Sequence, residues 1–471
     1  MNNSALDRAS VVGGGPPVSG RRARNGVVLL VLGMALGATA WRVTRPPVRP
    51  AAIDAVPAVA VDGAPSTQPI SESEQRDRNI ALFRGAVQQD PASAQFHAQL
   101  ALQYMQRSRE NASVSDVTLA EREARASLAL RTGNNGAAFA TLVESLLEQH
   151  RFGEAGRVAR QLVAGNPDVA VYSAMLGEVE LELGNYEAAG RAFEAVARDR
   201  TSFGVVTRLA RLAEIRGDTA RARAALYRAA AAAQMDGTMP SEQRAWFQLR
   251  VGDYELRHGA LTAADSAFRR GLAASPDDHR LLSAMARLRA VQQNWRSAID
   301  YGDQAIAQTL DPATLGLVSD AYAALGDSTK AAEYGRAMEV AVTGERGAYH
   351  RAWSLFLLDH DRRVAEVHAN VRNELRTRRD IYGHDLLGWA LYKRGRYGAA
   401  RVELARAMAQ GTQDALIFYH AGMIERASGD VIRASELLRR ALAVNPYFDP
   451  LHPAAARATL DSIARESATA R

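Results

Sequence analysis

The chain has 471 residues, a formal net charge of +6 and no cysteine. The lack of cysteine excludes disulfides, thiolate metal sites and cysteine nucleophiles. The charge is concentrated at one end, because residues 1–50 hold seven arginines and one aspartate, whereas residues 71–471 carry a net charge of only +2. A nearly neutral body lacks the clustered positive charge that nucleic-acid binding requires, so we expect no nucleic-acid partner.

The first 41 residues have the composition of a leader and a membrane-targeting segment. Residues 1–25 are basic and rich in glycine, proline and serine without an apolar period, which predicts disorder. The uncharged run over residues 26–41 has 16 residues, between the core of a signal peptide and a full membrane span. Ala38-Thr39-Ala40 can serve as a cleavage site, but Arg42 and Arg45 directly after it favour an uncleaved anchor.

The arginines on either side of this run predict its orientation. Four precede it and three follow within nine residues, which favours an N-terminus in the cytoplasm. We therefore expect a single-pass protein of the cytoplasmic (inner) membrane, with the rest of the chain on the periplasmic or extracytoplasmic side. A twin-arginine signal at Arg21-Arg22 is an alternative, although the residues after it lack the usual apolar positions. Gly33 and Gly37 have a spacing that can pair two membrane helices, so the sequence also allows a homodimer.

The next two segments connect this region to the body of the chain. Residues 42–70 are rich in proline and alanine, which predicts a semi-extended tether. Residues 71–135 predict a helical entry and a degenerate first repeat, beginning with a capping box between Ser71 and Glu74. The polar stretch RSRENASVSD is predicted to form a loop between the two helices of that repeat, either as a tolerated insertion or as a recognition loop.

Residues 136–446 contain nine units of nearly constant length. Their starts are 33 to 35 residues apart, except for one interval of 42 that carries an insertion. Every unit has alanine at its twentieth position and most have a small residue at the eighth, where two antiparallel helices would cross. The predicted unit starts are Gly136, Ala170, Phe203, Ala245, His279, Pro312, Arg346, Ile381 and Ala415.

The last unit, from Asp414 to Pro446, shows the pattern most completely. Gly422 and Ala434 allow two helices to approach closely, and Gly429 breaks the chain between them. This arrangement resembles a tetratricopeptide repeat. The resemblance implies an all-α superhelical solenoid of antiparallel helix pairs, with about ten repeats and a capping helix and tail over residues 447–471. The composition is typical of a bacterial protein.

The sequence offers no sign of catalysis. It contains no GxxxxGKS/T, GxSxG or HExxH motif and no segment outside the repeats long enough for a catalytic domain, so we expect no enzyme, cofactor or metal site. The resemblance implies a scaffold near a membrane that binds partner proteins or peptides on its concave face. The alternative is an envelope assembly or maturation factor that holds a client protein.

The resemblance also implies which residues face a bound peptide. In the family, positions two, five, nine and twelve of each first helix line the concave surface. Carried over to this chain, these positions place aromatic side chains together in the last two units, which suits a site of buried anchors with a polar rim. Packing of these side chains in the core is the alternative. The predicted peptide-binding residues are Tyr382, Asp385, Trp389, Tyr392, Tyr419, Met423, Arg426, Arg280 and Arg287.

Overall fold

The computed structural model describes residues 70–196, 203–344 and 351–469, and this part of the chain contains 22 α-helices and no strand. The helices are α1 (Glu72–Gln89), α2 (Ala94–Asn111), α3 (Val114–Leu130), α4 (Gly136–Glu148), α5 (Phe152–Gly165), α6 (Ala170–Glu182), α7 (Tyr186–Val196), α8 (Phe203–Ile215), α9 (Thr219–Met235), α10 (Ser241–Arg257), α11 (Leu261–Ala274), α12 (His279–Val291), α13 (Trp295–Gln308), α14 (Pro312–Ala324), α15 (Ser328–Gly344), α16 (Arg351–Asp359), α17 (Val364–Glu374), α18 (Ile381–Lys393), α19 (Tyr397–Met408), α20 (Ala415–Ala427), α21 (Val431–Val444) and α22 (His452–Thr469).

The predicted leader, membrane-targeting run and nearly all of the tether fall on residues 1–69, which lie outside the described residues. Within the described ranges, no helix is both long enough and apolar enough to cross a bilayer. Membrane insertion and its orientation therefore stay predictions.

The described helices form ten pairs, with α1 before them and α22 after them. Each even-numbered helix from α2 to α20 packs against the helix that follows it, across a connection of only two to four residues. Such short connections join antiparallel neighbours. Seven of the nine predicted unit starts coincide with the first residue of a helix. Of the other two, Ala245 lies inside α10, which begins at Ser241, and Arg346 lies outside the described residues.

Local chemistry explains why the helices begin where they do. Aspartates precede several first helices and accept hydrogen bonds from the free N–H groups of the first turn. Asp380, for example, accepts from the N–H groups of Tyr382 at 3.0 Å and Gly383 at 3.2 Å. Because this aspartate recurs before α12, α14, α18 and α20, each of these helices begins at the same point of its unit.

Small residues hold the two helices of a pair close together, as the spacing predicts. A Cβ atom on Gly177 would lie 2.5 Å from the Phe193 ring of the partner helix, and one on Gly422 would lie 2.7 Å from Leu438. Val143 replaces the small residue in the pair α4 and α5, and the pair α16 and α17 departs further from the pattern. There Trp353 occupies the eighth position and is buried, while Ala365 at the twentieth position is exposed. The crossing in this pair therefore differs from the others.

The polar stretch that was predicted to be a loop is helical, so that prediction is wrong. Helix α2 continues to Asn111 and α3 begins at Val114, leaving a two-residue connection. Arg107 near the end of α2 donates to both carboxylate oxygens of Asp116 at the start of α3, at 2.7 and 2.6 Å. Because these polar side chains bind one another across the pair, the stretch lengthens two helices.

The insertion in the 42-residue interval is also largely helical. Helix α9 continues to Met235 and α10 begins at Ser241, so the connection has only five residues. The start of α10 contacts the beginning of the described chain, since the Ser241 hydroxyl donates to Glu72 Oε2 at 2.8 Å. The insertion therefore lengthens two helices, and the first residue of α10 contacts the first residue of α1.

The chain folds back so that a late connection contacts an early turn six helix pairs away. The Arg379 N–H donates to the Leu183 carbonyl at 3.0 Å, and the Ile381 N–H donates to the Tyr186 hydroxyl at 2.7 Å. These contacts join the connection before α18 to the turn between α6 and α7. Ile381 is buried there in one apolar cluster with Phe193 of α7.

The next turns along the chain make the same kind of contact. The Asn445 side-chain amide, after α21, donates to the Leu256 and Arg257 carbonyls at 3.0 Å each. The Gln293 side chain, in the turn between α12 and α13, donates to the Pro450 carbonyl at 3.0 Å. Successive turns of the early pairs are thus joined to successive connections of the late pairs.

Glycine is required where the two parts of the chain meet. Gly217 lies in the turn after α8 with a φ of +77°, and a Cβ atom there would overlap the Gly411 carbonyl oxygen. A Cβ atom on Gly259 would lie 2.9 Å from the Asn445 side-chain oxygen. Three turn glycines of other pairs also have positive φ but have nothing within 4 Å of the same position: Gly326, Gly395 and Gly429.

Comparing Gly217→Ala with Gly395→Ala isolates this contact. Both substitutions place a Cβ on a left-handed backbone, which costs about 1 kcal/mol in each case. Only Gly217→Ala also overlaps the returning chain, so we expect it to cost roughly 1–3 kcal/mol more. Thermal unfolding of the full chain, followed by circular dichroism, measures the difference. Equal melting temperatures for the two variants would contradict the contact.

Candidate partner-binding surface

The first helices of six successive pairs, α2 to α12, line a common cavity of about 700 Å³. Its wall combines apolar side chains with an unusual number of charges. The apolar residues include Met105, Leu147, Phe152, Trp246 and Phe247. The charged residues are Glu144, Glu148, Glu178, Glu182, Glu242, Arg109, Arg208 and Arg280. The concave positions of the early pairs therefore face a shared interior.

Four of the five carboxylates in this wall have an arginine partner. Such pairs satisfy the donors and acceptors that the enclosed wall partly removes from water. Glu148 is the fifth, and no ion pair or hydrogen bond joins its carboxylate to the described part of the chain. The pairs are Arg109–Glu144 at 2.5 Å, Arg208–Glu178 at 2.6 Å, Arg280–Glu242 at 2.6 Å and Arg378–Glu182 at 3.1 Å.

The pKa of Glu148, the carboxylate of this wall without an arginine partner among the described residues, differs from that of an ordinary glutamate. Surrounding protein raises its pKa above the ordinary value for glutamate, although the side chain faces solvent within the cavity. Arg109 and Arg280 lower the pKa, while Glu144 and Glu178 raise it further. The net rise means that the interior favours the protonated form of Glu148 more than water does.

Glu182 shows the opposite outcome because it has two guanidinium partners. Burial alone would raise its pKa, but Arg211 and Arg378 outweigh burial and hold the pKa below the ordinary value. Arg378 belongs to the connection before α18, and its guanidinium also lies over the Phe152 ring at 4.8 Å. The returning chain thus supplies one of the counterions of the early interior.

A second cavity of about 580 Å³ lies further along the concave strip, the surface lined by the first helices of successive pairs. Arg280 lines both cavities. Arg287 lies in its wall and donates to Asp253 at 3.0 Å. The exposed apolar side chains of Val114 and Leu310 complete part of the lining. Two of the predicted peptide-binding residues, Arg280 and Arg287, therefore face the interior, and both already pair with carboxylates.

The predicted residues in the late pairs are placed differently. Asp385 is fully buried, 2.7 Å from His420 Nδ1, and it accepts a 2.7 Å hydrogen bond from Arg351. Trp389, 3% exposed, stacks on the His420 ring with centroids 4.2 Å apart and donates to Asp359 at 2.8 Å. These side chains form a polar and aromatic core between α16, α18 and α20.

Helix α22 covers the rest of this cluster. Tyr419 is also 3% exposed and packs against His452 with ring centroids 4.8 Å apart. Three predicted residues line a smaller cavity of about 330 Å³ against α22: Tyr392, Met423 and Arg426. The last one, Tyr382, is half-buried with the Arg351 guanidinium over its ring at 4.9 Å. Peptide binding by these residues stays a prediction, and the buried ones present no surface in this structure.

Sequence reasoning missed the acidic residues of the large cavity. Glu144 and Glu178 occupy the ninth position of their units, so the same positional rule identifies them when it is applied to the first two units. Glu148 and Glu182 occupy the thirteenth position, one helical turn further on, which the rule does not include. A search for charged residues one turn beyond position nine would have found them.

Substituting Trp389 tests whether the aromatic cluster belongs to the hydrophobic core. We expect Trp389→Ala to cost roughly 3–5 kcal/mol, because it leaves a cavity and removes the indole hydrogen bond to Asp359. Arg426→Ala is the control, since its ion pair with Glu466 is partly exposed and such pairs contribute at most about 1 kcal/mol. Thermal unfolding compares them. A Trp389→Ala protein as stable as wild type would place Trp389 outside the core.

His452 makes the docking of α22 depend on pH. Burial would lower its pKa, but Asp449 and Asp359 outweigh burial and raise it from 6.5 to about 10. A raised pKa means that the contribution of protonated His452 to stability is complete below pH 6.5 and is lost as pH rises through 10. We expect His452→Gln to destabilise by a few kcal/mol at pH 6 and by much less at pH 10. Urea unfolding at both pH values measures this, and a pH-independent difference would contradict the ion pairs.

Comparison with known proteins gives one match to a protein family. Residues 140–204 match the family model described as tetratricopeptide repeat, a segment that runs from α4 to the start of α8. No curated protein matches the sequence significantly.

Solved structures with similar folds have low sequence identity. Human IFIT1, a dimer with PPP-AAAA, is 14% identical with a TM-score of 0.41, and the match covers 80% of this chain and 95% of that chain. PilF of Pseudomonas aeruginosa is 19% identical with a TM-score of 0.36, covering 44% of this chain and 92% of that one. The family match and the repeated helix pairs together support a tetratricopeptide-repeat protein.

Proposed function

We propose that this chain is a non-catalytic scaffold that binds segments of partner proteins in the interior of its helical solenoid. The observation that carries the proposal is the cavity of about 700 Å³ lined by six successive first helices. Its apolar side chains can anchor a partner, and its charged side chains can select it. Because the helix ends are capped and the ion pairs are already formed, little ordering would be needed on binding.

The proposal includes a membrane tether, which is supported by the sequence of residues 1–70. The apolar run over residues 26–41 would hold the chain in the cytoplasmic membrane, and the flanking arginines favour repeats on the periplasmic side. A homodimer through this run belongs to the same proposal. Membrane fractionation with protease accessibility tests the tether and its side.

The alternative within the same class is an envelope assembly or maturation factor. The returning chain favours this alternative, because an enclosed interior suits one held client better than many exchanging partners. The two versions differ in what they bind. A scaffold binds a constant partner, whereas a maturation factor binds a client only until the client matures.

A photocrosslinking amino acid at Leu147 tests the interior as the binding surface. Leu147 lines the large cavity, so we expect p-benzoylphenylalanine there to crosslink a discrete partner in cells that express the full chain. Ile432 is the control position, because it is 74% exposed on α21 and lines none of the described cavities. Mass spectrometry identifies the crosslinked protein. Equal crosslinking from both positions, or crosslinking from Ile432 alone, would contradict an interior site.

A further inference from the structure

The wall of the large cavity contains a carboxylate without a hydrogen-bond donor in the described part of the chain, whereas each of its arginines is already paired. Each of its three arginines, Arg109, Arg208 and Arg280, already donates to a carboxylate of the wall. Glu148, in contrast, has no ion-pair or hydrogen-bond partner within the described ranges. A ligand that brings N–H donors and positive charge would therefore find an acceptor at Glu148.

Glu242 provides a second, independent observation of an acceptor in this wall without a donor from the described residues. It is 7% exposed, and its Oε1 accepts from Arg280 at 2.6 Å. Its other oxygen, Oε2, is buried and has no donor in the part of the chain that the structure describes. A buried acceptor without a donor costs free energy, so Glu242 would gain from a ligand N–H group that reaches Oε2 after a small shift of the side chain, whereas Glu148 is directly accessible.

The apolar part of the wall indicates an organic cation rather than a metal ion. Among the described residues, no group of three or more histidine, aspartate or glutamate side chains could hold a metal. Trp246 lines the same cavity and already has the Arg250 guanidinium 6.0 Å above its ring. Aromatic rings bind guanidinium groups through their faces, and a planar guanidinium also donates two parallel hydrogen bonds to a carboxylate.

We propose that this cavity binds an arginine side chain from an extended segment of a partner protein, with Glu148 as its counterion. The inference rests on the proposed function and adds the chemistry that selects the partner. Glu148 is the specificity-determining residue, Glu242 supplies a further acceptor, and the apolar wall around Trp246 accommodates the residues next to the arginine.

The acidity of Glu148 supports this assignment. Its pKa is raised by the desolvation that the surrounding protein imposes and by Glu144 and Glu178, against the lowering effects of Arg109 and Arg280. These are the charged groups that face it from α4, α6, α2 and α12. A bound guanidinium would stabilise the ionised form, so binding should weaken as pH falls through the raised pKa.

A pair of peptide pools tests the proposal. One pool contains acetylated, amidated nonapeptides with a central arginine and uncharged residues at random elsewhere, and the twin pool has citrulline, which is nearly isosteric and neutral, in place of arginine. The full chain in mild detergent is immobilised, and retained peptide is quantified at pH 7. We expect about tenfold more arginine peptide than citrulline peptide, as for one charge-assisted contact.

Matched variants assign the preference to one residue. Glu148→Gln should remove the preference for arginine and the acid dependence of binding. Glu194→Gln, which changes an exposed carboxylate on α7, should leave both unchanged. Unchanged melting temperatures show that both variants fold, and Glu148→Asp should restore part of the preference.

The outcomes separate this inference from the proposed function. Equal retention of the two pools overturns the arginine site and leaves peptide binding intact. A preference that survives in Glu148→Gln also overturns it. Retention of neither pool overturns the inference, while the crosslinking from Leu147 still decides whether the interior is a binding surface.

Discussion

The close approach of the late connections to the early turns is the constraint on which the interior depends. Backbone and side-chain hydrogen bonds join residues that are six helix pairs apart, as between Arg379 and Leu183. A side chain at Gly217 would prevent the same approach one pair later. Because the chain returns, the first helices of the early pairs face protein on more than one side, and their charges are removed from much of the surrounding water.

The partial enclosure accounts for the density of ion pairs. A carboxylate that loses water needs a donor nearby, and the structure supplies arginines both from neighbouring first helices and from the returning chain. Glu182 shows this, since Arg211 comes from α8 and Arg378 from the connection before α18. Glu148 has no such partner among the described residues, and desolvation by the surrounding protein raises its pKa.

The sequence predicted the local parts of the fold well, since every unit repeats the alanine at its twentieth position and most repeat the small residue at the eighth. Six of the nine units also have a turn glycine with positive φ. It did not predict the return of the chain, because Gly217 and Gly395 are the same kind of turn glycine and only one of them has a neighbour. It did not predict that Trp389 is buried either. The positional rule describes one unit, whereas exposure depends on what the adjoining units and α22 place over it.

The two ends of the concave strip differ in how they fill the interior. In the late pairs, large rings such as Trp389 and Tyr419 pack against one another and against α22, which fills the space with protein. In the early pairs the ninth position, which Trp389 occupies in its own unit, carries Glu144, Glu178 and Arg211. These side chains form ion pairs at their tips and do not pack as closely as rings. A cavity therefore remains where the wall is charged. Its shape follows from the pairing of its charges, and the one carboxylate without a partner in that wall gives it a preference for positive ligands.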